Sequence, residues 1–239
     1  FSSYPRILKS IICFFLGFIA LKKNDILISF ESNIFAIVLS KFKNAKVIVR
    51  SNAHPSGYLK NNLKKSLFQF LFNLADAVVV NSYDFKKDID STLNINSIVI
   101  YNSLVKIKKP RKKFLSSKNK YKLISVGRLV PQKDHLTTLK AMRIIKDKIN
   151  FRLIIIGKGK MLNNLKRYCQ DNSLEKEVSF IGYKRNVNKY IENSDCMILS
   201  SIFEGQPNVI IESIGLGTLV ISSNCKTGPR EILQNGKAG

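Results

Sequence analysis

Cysteine pairs, acidic residues and membrane-length apolar runs are scarce in this sequence of 239 residues. Its four cysteines, Cys13, Cys169, Cys196 and Cys225, lie too far apart in the chain to form a metal-ligand or redox pair. They are therefore expected to be core or near-core thiols of a protein from a reducing compartment. The run 11–21 is apolar but has only about half the length of a membrane span. Because the sequence begins without methionine, it does not allow a signal peptide to be predicted.

The shortage of acidic residues gives the chain a strong positive charge. Sixteen Asp and Glu stand against 40 Lys and Arg, for a net charge of +24. This excess is typical of proteins that bind nucleic acid or anionic membranes. The basic residues do not follow the pattern of a recognition helix or an aromatic RNA-binding surface, so no nucleic-acid partner is expected. Diphosphate ligands or anionic lipid headgroups fit better. The segment 6–21, with Arg6, Lys9, Lys22 and Lys23 at its ends, could form a helix that is either a core helix or a membrane-docking face.

Apolar runs of strand length alternate with helix-like segments along the chain, which predicts parallel sheets covered by helices on both faces. The predicted strands are 26–30, 47–49, 77–80, 98–101, 123–126, 153–156, 178–181, 196–200 and 218–222. The predicted helices are 33–42, 59–74, 83–93, 135–149, 161–171, 187–193 and 208–216. A Lys- and Ser-rich stretch divides the two series, which predicts a domain over 1–105, a linker over 106–120 and a domain over 121–239. We therefore expect two doubly wound α/β domains with a cleft between them and ligands at the carboxyl ends of the strands.

The segment between the last two predicted strands carries the densest group of candidate site residues. Gly205 gives the loop backbone freedom, Pro207 suits a first helical turn, and Asn208 begins the helix. The free N–H groups of that turn form an anion site. Glu204 precedes the helix, and Glu212 lies inside it with a side chain that leans back toward the same pocket. Two carboxylates beside a phosphate-binding helix start favour a ligand with hydroxyls and phosphates, such as a nucleotide sugar.

The loop after strand 123–126 contains a second candidate site. Arg128 offers a planar fork to phosphate oxygens and Lys133 a compact charge, so together they can hold a diphosphate. The alternative is two solvated basic residues in a chain rich in them. Gly157 and Gly159, after the next strand, partly match a dinucleotide-binding fingerprint, but its third glycine and its acidic residue are missing. A dehydrogenase is therefore not favoured.

The paired glutamates also carry a resemblance to a known family. Glu204 and Glu212, separated by seven residues and followed by Gly-Leu-Gly-Thr-Leu-Val-Ile, resemble the motif of retaining GT-B glycosyltransferases of family 4, the glycosyl transferases group 1. The segment 222–233, Ser-Ser-Asn-Cys-Lys-Thr-Gly-Pro-Arg-Glu-Ile-Leu, is similar to a subgroup that adds N-acetylhexosamine or hexose to lipid-linked oligosaccharides. The likeness covers most of the chain and is strongest over 122–239. Compared with the family the chain looks truncated at both ends, so both domains are expected to be incomplete.

The resemblance implies a metal-independent transferase without a cofactor, peripheral on the inner face of the cell membrane. Its donor would be a UDP- or GDP-linked sugar, its acceptor a lipid-linked glycan or a polysaccharide, and its reaction would retain configuration. Glu204 would bind the donor sugar and favour its cationic transition state, and Glu212 would hold the ribose. Arg128, Lys133 and the helix start would stabilise the departing diphosphate. The alternatives are a GT-B nucleotide-sugar epimerase and a catalytically inactive nucleotide-sugar-binding module.

Three further positions carry groups that could take part in chemistry. His54 could bind donor or acceptor, or orient the reacting hydroxyl, because histidine titrates near neutrality; the alternative is a loop histidine stacked on a neighbour. Asp88 and Asp90 match the Asp-x-Asp motif of metal-dependent glycosyltransferases of the other fold, but their mid-helix position predicts an exposed helix face instead. His135, next to Asp134, is interpreted as part of a helix start.

Overall fold

A computed structural model describes residues 6–51, 59, 61–103, 120–225 and 228–237 of the chain. The chain divides into two compact units, Phe1–Tyr101 and Asn102–Gly239. Each unit contains one parallel sheet with helices between its strands, so the predicted α/β class is confirmed. Apart from Lys120, the predicted linker lies outside the described residues. The predicted domain bounds therefore stay a prediction.

The N-terminal unit contains a four-stranded sheet in the order β1-β2-β3-β4. Its elements are α1 (Arg6–Ala20), β1 (Ile26–Ser29), α2 (Asn33–Phe42), β2 (Lys46–Arg50), α3 (Asn62–Asn73), β3 (Ala77–Val80), α4 (Tyr83–Leu93) and β4 (Ile98–Val99). Alternate strand residues point to one face, where Val47, Val49, Val78 and Val80 form a buried core with Phe72 of α3 and other helix residues.

Side-chain caps decide where two of these helices begin. The Asn61 side chain accepts a hydrogen bond from the backbone N–H of Leu63, so α3 begins three residues after the predicted start at 59. Ser82 does the same for Phe85, and α4 spans the predicted residues 83–93.

The C-terminal unit contains a five-stranded parallel sheet in the order β7-β6-β5-β8-β9. Its strands are β5 (Tyr121–Val126), β6 (Phe151–Ile156), β7 (Val178–Phe180), β8 (Cys196–Leu199) and β9 (Leu219–Ser222). Its helices are α5 (His135–Ile145), α6 (Leu162–Asp171), α7 (Asn188–Glu192), α8 (Asn208–Gly215) and α9 (Pro229–Ile232), with 3-10 turns at Pro131–Lys133 and Gln234–Gly236. The strands read as almost continuous apolar runs because two separate cores cover the sheet. One core includes Leu153 and Ile155, and the other includes Ile124, Met197 and Val220.

The strand order reverses between β5 and β8, and this reversal positions the site. From β5 the chain moves outward to β6 and β7 on one side, then returns to place β8 on the other side of β5. The loops that leave β5 and β8 lead to helices that pack in the two different cores of the sheet, and doubly wound sheets bind ligands in the crevice at the carboxyl ends of two such strands.

Two expectations from the sequence are wrong in detail. Cys13 is exposed on α1, although Cys169, Cys196 and Cys225 are buried as predicted. Burial raises the pKa of Cys169 and of Cys196 to about 11, in keeping with core thiols. Asp90 is half-buried instead of lying on an exposed helix face.

The tertiary contacts of Asp90 explain its position. It forms an ion pair with Lys86 at 2.7 Å and accepts a hydrogen bond from the backbone N–H of Ser97 at 2.9 Å. It thus ties α4 to the start of β4. In the part of the chain that the structure describes, no group of three or more His, Cys, Asp or Glu side chains could hold a metal ion.

The helix predicted over 6–21 is present as α1 (Arg6–Ala20), which packs against α2 through Phe14 and Phe35, with ring centroids 6.2 Å apart. Its Ile19 side chain is 82% exposed. Of the helices described, none combines the length and the apolar character needed to cross a bilayer.

Candidate active site

The crevice at the reversal point brings Lys133 and Glu204 together. Lys133 ends the 3-10 turn that follows β5, and Glu204 lies in the loop after β8. Their side chains are 15% and 8% exposed, and the Lys133 Nζ forms an ion pair with Glu204 Oε1. The Ser201 hydroxyl donates a second hydrogen bond to the same oxygen at 2.6 Å. The carboxylate is therefore held in one place by a charge and by a neutral donor.

Backbone and side-chain hydrogen bonds hold the two loops in register. The Ile202 N–H donates to the carbonyl oxygen of Gln132 at 2.9 Å, and Gln132 Nε2 donates to the carbonyl oxygen of Phe203 at 3.0 Å. The Ser200 hydroxyl donates to the carbonyl oxygen of Asp134 at 2.7 Å. These contacts lie on both sides of the ion pair. The geometry of the pair thus follows from the loop framework.

The loop after β8 leads into the N-terminus of α8. Pro207 is buried at the cap position, and none of the described side chains caps the helix there. The first-turn N–H groups and the positive end of the helix dipole are therefore available to an anion. Asn102, the first residue of this unit, steadies the loop: its N–H donates to Gln206 Oε1 and its Nδ2 to Asn208 Oδ1, both at 2.6 Å.

Glycines allow the neighbouring loops to approach the site at backbone distance. A Cβ on Gly157 would lie 1.8 Å from the carbonyl oxygen of Gly127, and one on Gly159 would lie 2.2 Å from that of Leu129. The Leu129 N–H donates to the carbonyl oxygen of Lys158 at 2.9 Å. The glycine turn after β6 therefore supports the loop that carries the basic residues, a role that needs no dinucleotide.

The other predicted site residues lie on the same elements or outside the description. Arg128 is exposed in the loop that also carries Lys133. Glu212 is half-buried on α8, where burial raises the pKa of its carboxyl. Gly205 packs against Gly228, since a Cβ on Gly228 would lie 1.9 Å from the Gly205 carbonyl oxygen. His54 lies outside the described residues.

Several contacts at the site were not foreseen from the sequence. Asp134 caps α5 as expected and accepts from the Thr137 hydroxyl at 2.7 Å, but His135 is buried and turns toward β5. Its Nδ1 lies 3.1 Å from the Ser125 hydroxyl. Burial and the nearby Lys133 charge lower the pKa of His135. His135 begins α5, as the sequence predicts, and its buried contact with β5 is an additional feature.

Cys225, near Glu204, is another residue of the site that the sequence did not indicate. Its pKa is raised by burial and, to a smaller extent, by the negative charge of Glu204. No local sequence pattern marks Ser201, Gln132 or Cys225, because their contacts depend on how the loops after different strands meet.

Comparisons with known proteins agree with this geometry. The model of the family described as glycosyl transferases group 1 matches residues 106–239. An uncharacterised glycosyltransferase of Methanocaldococcus jannaschii is 31% identical over 80% of this chain and 51% of its own length. The N-acetylgalactosamine-N,N'-diacetylbacillosaminyl-diphospho-undecaprenol 4-alpha-N-acetylgalactosaminyltransferase of Campylobacter jejuni is 28% identical over 87% of this chain and 59% of its own length. The chain thus spans a little more than half the length of these curated relatives.

Solved structures establish the likeness in fold. A TarM mutant of S. aureus, crystallised with Fondaparinux, alpha-GlcNAc-glycerol and UDP, superposes with a TM-score of 0.80 at 20% identity. The match covers 94% of this chain and 46% of that one. Anabaena HepE, in complex with UDP and glucose, matches with a TM-score of 0.76 at 16% identity, over 94% of this chain and 64% of its own. The chain has the GT-B fold, as the sequence predicts.

Proposed function

Since this chain belongs to the family of glycosyl transferases group 1, we propose that it acts in the transfer of a sugar from a nucleoside diphosphate donor to a lipid-linked glycan or a polysaccharide. The observation that carries the proposal is the buried Lys133–Glu204 pair beside the open N-terminus of α8, at the carboxyl ends of β5 and β8. A cation, a carboxylate and a helix end in one crevice match the diphosphate and the sugar of such a donor.

The charged groups of the site would bind different parts of the donor, according to the sign of their charge. The diphosphate is attracted to Lys133, Arg128 and the helix end, which stabilise the negative charge that develops on the leaving group. Glu204 would repel phosphate, so it meets the sugar and stabilises the positive charge of the transition state. Without a donor, Lys133 neutralises the buried Glu204 carboxylate. A bound diphosphate gives Lys133 a second anionic partner and leaves more of the glutamate charge to the sugar.

Glu212 holds the ribose of the donor in this proposal. Its half-buried position on α8 raises the carboxyl pKa, so the group is less strongly ionised than an exposed glutamate near its titration range. Either form can hydrogen-bond to ribose hydroxyls. Both solved structures are complexes that contain UDP, which favours a uridine nucleotide over a guanosine one. Retention of configuration stays a proposal drawn from the family motif.

The acceptor sets the proposed location. The Campylobacter relative is an N-acetylgalactosaminyltransferase named for a diphospho-undecaprenol-linked substrate. If the acceptor of this chain is of the same kind, the protein works as a peripheral protein on the inner face of the cell membrane. The net charge of +24 supports binding to an anionic surface.

The substitution Glu204→Gln tests the proposal, because it preserves the size of the side chain and removes its charge. We expect the variant to bind the UDP-sugar as well as the wild type or more tightly, since Lys133 loses its competing partner. We expect transfer, measured as release of nucleoside diphosphate in the presence of acceptor, to fall by about a hundredfold or more. Glu175→Gln, a change of an exposed glutamate elsewhere in the unit, is the matched control.

Three outcomes separate the possible functions. Loss of transfer with donor binding preserved supports the proposal. Equal transfer by wild type and Glu204→Gln removes Glu204 from the mechanism. Donor binding without transfer in either form, in a protein of full family length with several acceptors, would identify a binding module instead.

A further inference from the structure

Asn102, the first residue of the C-terminal unit, donates to three oxygen atoms around a single turn. Its backbone N–H donates to Gln206 Oε1 at 2.6 Å. Its side-chain Nδ2 donates to Asn208 Oδ1 at 2.6 Å and to the carbonyl oxygen of Gln206 at 3.3 Å. These partners lie on both sides of Pro207, the cap residue of α8. They are 104 and 106 positions away in the sequence, so the contacts belong to no helix and to no strand ladder.

These contacts change the electrostatic character of the turn. An oxygen atom carries a partial negative charge, and one that pointed at the N-terminus of α8 would repel a bound anion. Asn102 binds three such oxygens, and the N–H of Ile210 donates to the carbonyl oxygen of Pro207 at 3.1 Å. The remaining polar groups of the turn are donors: the backbone N–H groups at the start of α8 and the side-chain amide nitrogens of Gln206 and Asn208.

The amide of Asn208 shows how this orientation is set. Asn102 Nδ2 can only donate, so it binds the oxygen end of the Asn208 amide and excludes the reversed orientation. The amide nitrogen then points away from Asn102. Because the Asn208 side chain is exposed at the first position of α8, this nitrogen is accessible to a ligand. A donor that is already oriented loses less conformational entropy on binding than one that must first be ordered.

We propose that Asn102 is a positioning residue for the diphosphate of the donor. It holds the turn before α8 with its oxygens away from the anion site and its donors available to phosphate. The inference rests on the function proposed above and deepens it. Arg128 and Lys133 supply charge to the same diphosphate, whereas Asn102 acts through Gln206 and Asn208.

An isosteric substitution tests the orientation. Asn102→Asp keeps the shape of the side chain but replaces its donor by an acceptor, so the Asn208 amide must reverse and turn its oxygen outward. We expect the affinity of the full chain for UDP, measured by calorimetry, to fall by about thirtyfold or more, because the added charge also repels phosphate. Asn102→Ala loses the side-chain contacts but keeps that of the backbone N–H. Its affinity should fall by about threefold to tenfold.

Asn193→Asp and Asn193→Ala are the matched controls. Asn193 also donates its Nδ2 to a carbonyl oxygen, that of Lys189 at 2.8 Å, but it lies just before the amino end of β8. Both control variants should bind UDP like the wild type. Since Asn102 is half-exposed and Asn193 is exposed, all four variants are expected to keep the circular dichroism spectrum of the wild type.

Uridine separates a positioning role from a structural one. It has the base and the ribose of UDP but no phosphate, so its affinity, measured by NMR titration, should be the same for the wild type and for the Asn102 variants. A merely structural residue would lower both affinities. In an Asn208→Ala background, Asn102→Ala should weaken UDP binding by about twofold or less, because one of its acceptors is already missing.

Inorganic pyrophosphate distinguishes this inference from the proposed function, because it has neither base nor sugar. Weaker binding of UDP and pyrophosphate by Asn102→Asp, with uridine binding unchanged, supports the inference. Equal binding of these anions by wild type and Asn102→Asp, or a parallel loss of uridine binding, shows that the inference is wrong and leaves the proposed function unaffected. If the wild type binds pyrophosphate but no nucleoside diphosphate, the proposed donor is wrong, and the comparison with pyrophosphate decides the role of Asn102. If it binds neither, both proposals are wrong.

Discussion

The buried ion pair between Lys133 and Glu204 makes a prediction about stability that a surface pair would not. The side chains are 15% and 8% exposed. For two unit charges in hydrogen-bond contact, about 3 Å apart, Coulomb's law gives an attraction of roughly 5 kcal/mol at an effective dielectric constant of about 20. Lys133→Met removes the positive charge that pairs with the buried Glu204 carboxylate and should cost about 3–5 kcal/mol. Adding Glu204→Gln removes the unpaired charge and should restore part of the loss.

A double-mutant cycle isolates the coupling between the two residues. Some water enters when either charge is removed, so we expect a coupling energy of about 2–4 kcal/mol instead of the full Coulomb value. The control is the pair of Lys41 and Asp76, 3.8 Å apart, with side chains 44% and 40% exposed. For an exposed pair the expected coupling is at most about 1 kcal/mol.

Urea unfolding provides the assay, with hydrogen exchange of the β5 and β8 amides reporting on the C-terminal unit and that of the β2 and β3 amides reporting on the N-terminal unit, which holds the control pair. A local probe is needed because a chain of two units need not unfold in one step. If the coupling of Lys133 and Glu204 is no larger than that of the control pair, then the pair is open to solvent in solution. The argument that Lys133 holds the glutamate charge until donor binds would then fail.

Three further predictions concern the same unit. Arg128→Ala should lower turnover by about tens- to thousands-fold, since one charge-assisted phosphate contact is lost. The control is Arg152→Ala, a change of another exposed arginine. Equal, near-normal turnover of the two variants would show that Arg128 does not bind the diphosphate. Gly159→Ala should abolish donor binding, measured by calorimetry, because its Cβ would lie 2.2 Å from a backbone oxygen of the neighbouring loop. The control Gly182→Ala has open space around the Cβ and should lower the free energy of unfolding by only about 1 kcal/mol, through backbone strain. Because the pKa of His135 is lower in the folded protein than in the unfolded chain, the unfolded chain takes up the proton at a higher pH, and the free energy of unfolding in urea should fall as pH drops below about 6.5. His135→Phe should reduce this dependence of stability on pH, and an unchanged dependence would show that another group titrates.

Local patterns in the sequence were sufficient for the fold class and for most elements. Apolar runs of strand length, helical periodicity and helix caps all involve residues that are close in the sequence. Helices such as Asn33–Phe42 and Tyr83–Leu93 therefore match the predicted ranges. Helix α5 ends at Ile145, four residues before the predicted end at 149, and helix ends are the part of an element that a sequence pattern defines least well. The motif at Glu204 was also readable locally, since a strand, a loop with glycine and a helix with proline at its start follow one another in the chain.

The sequence by itself determined which groups could bind a nucleotide sugar, whereas the tertiary structure decided which of them meet. Arg128 and Lys133 look alike as basic residues after one strand, yet only Lys133 turns inward to pair with Glu204, and Arg128 stays exposed. The two residues lie 71 positions apart in the sequence, and they meet because β8 lies next to β5, an order that no local pattern encodes. His135 shows the same limit, because its neighbours Asp134 and Thr137 mark a helix start while burial against Ser125 of β5 sets its chemistry. Burial and charge pairing arise only when strands that are distant in the sequence pack together. The ionisation and the partners of these residues are therefore determined by the tertiary structure.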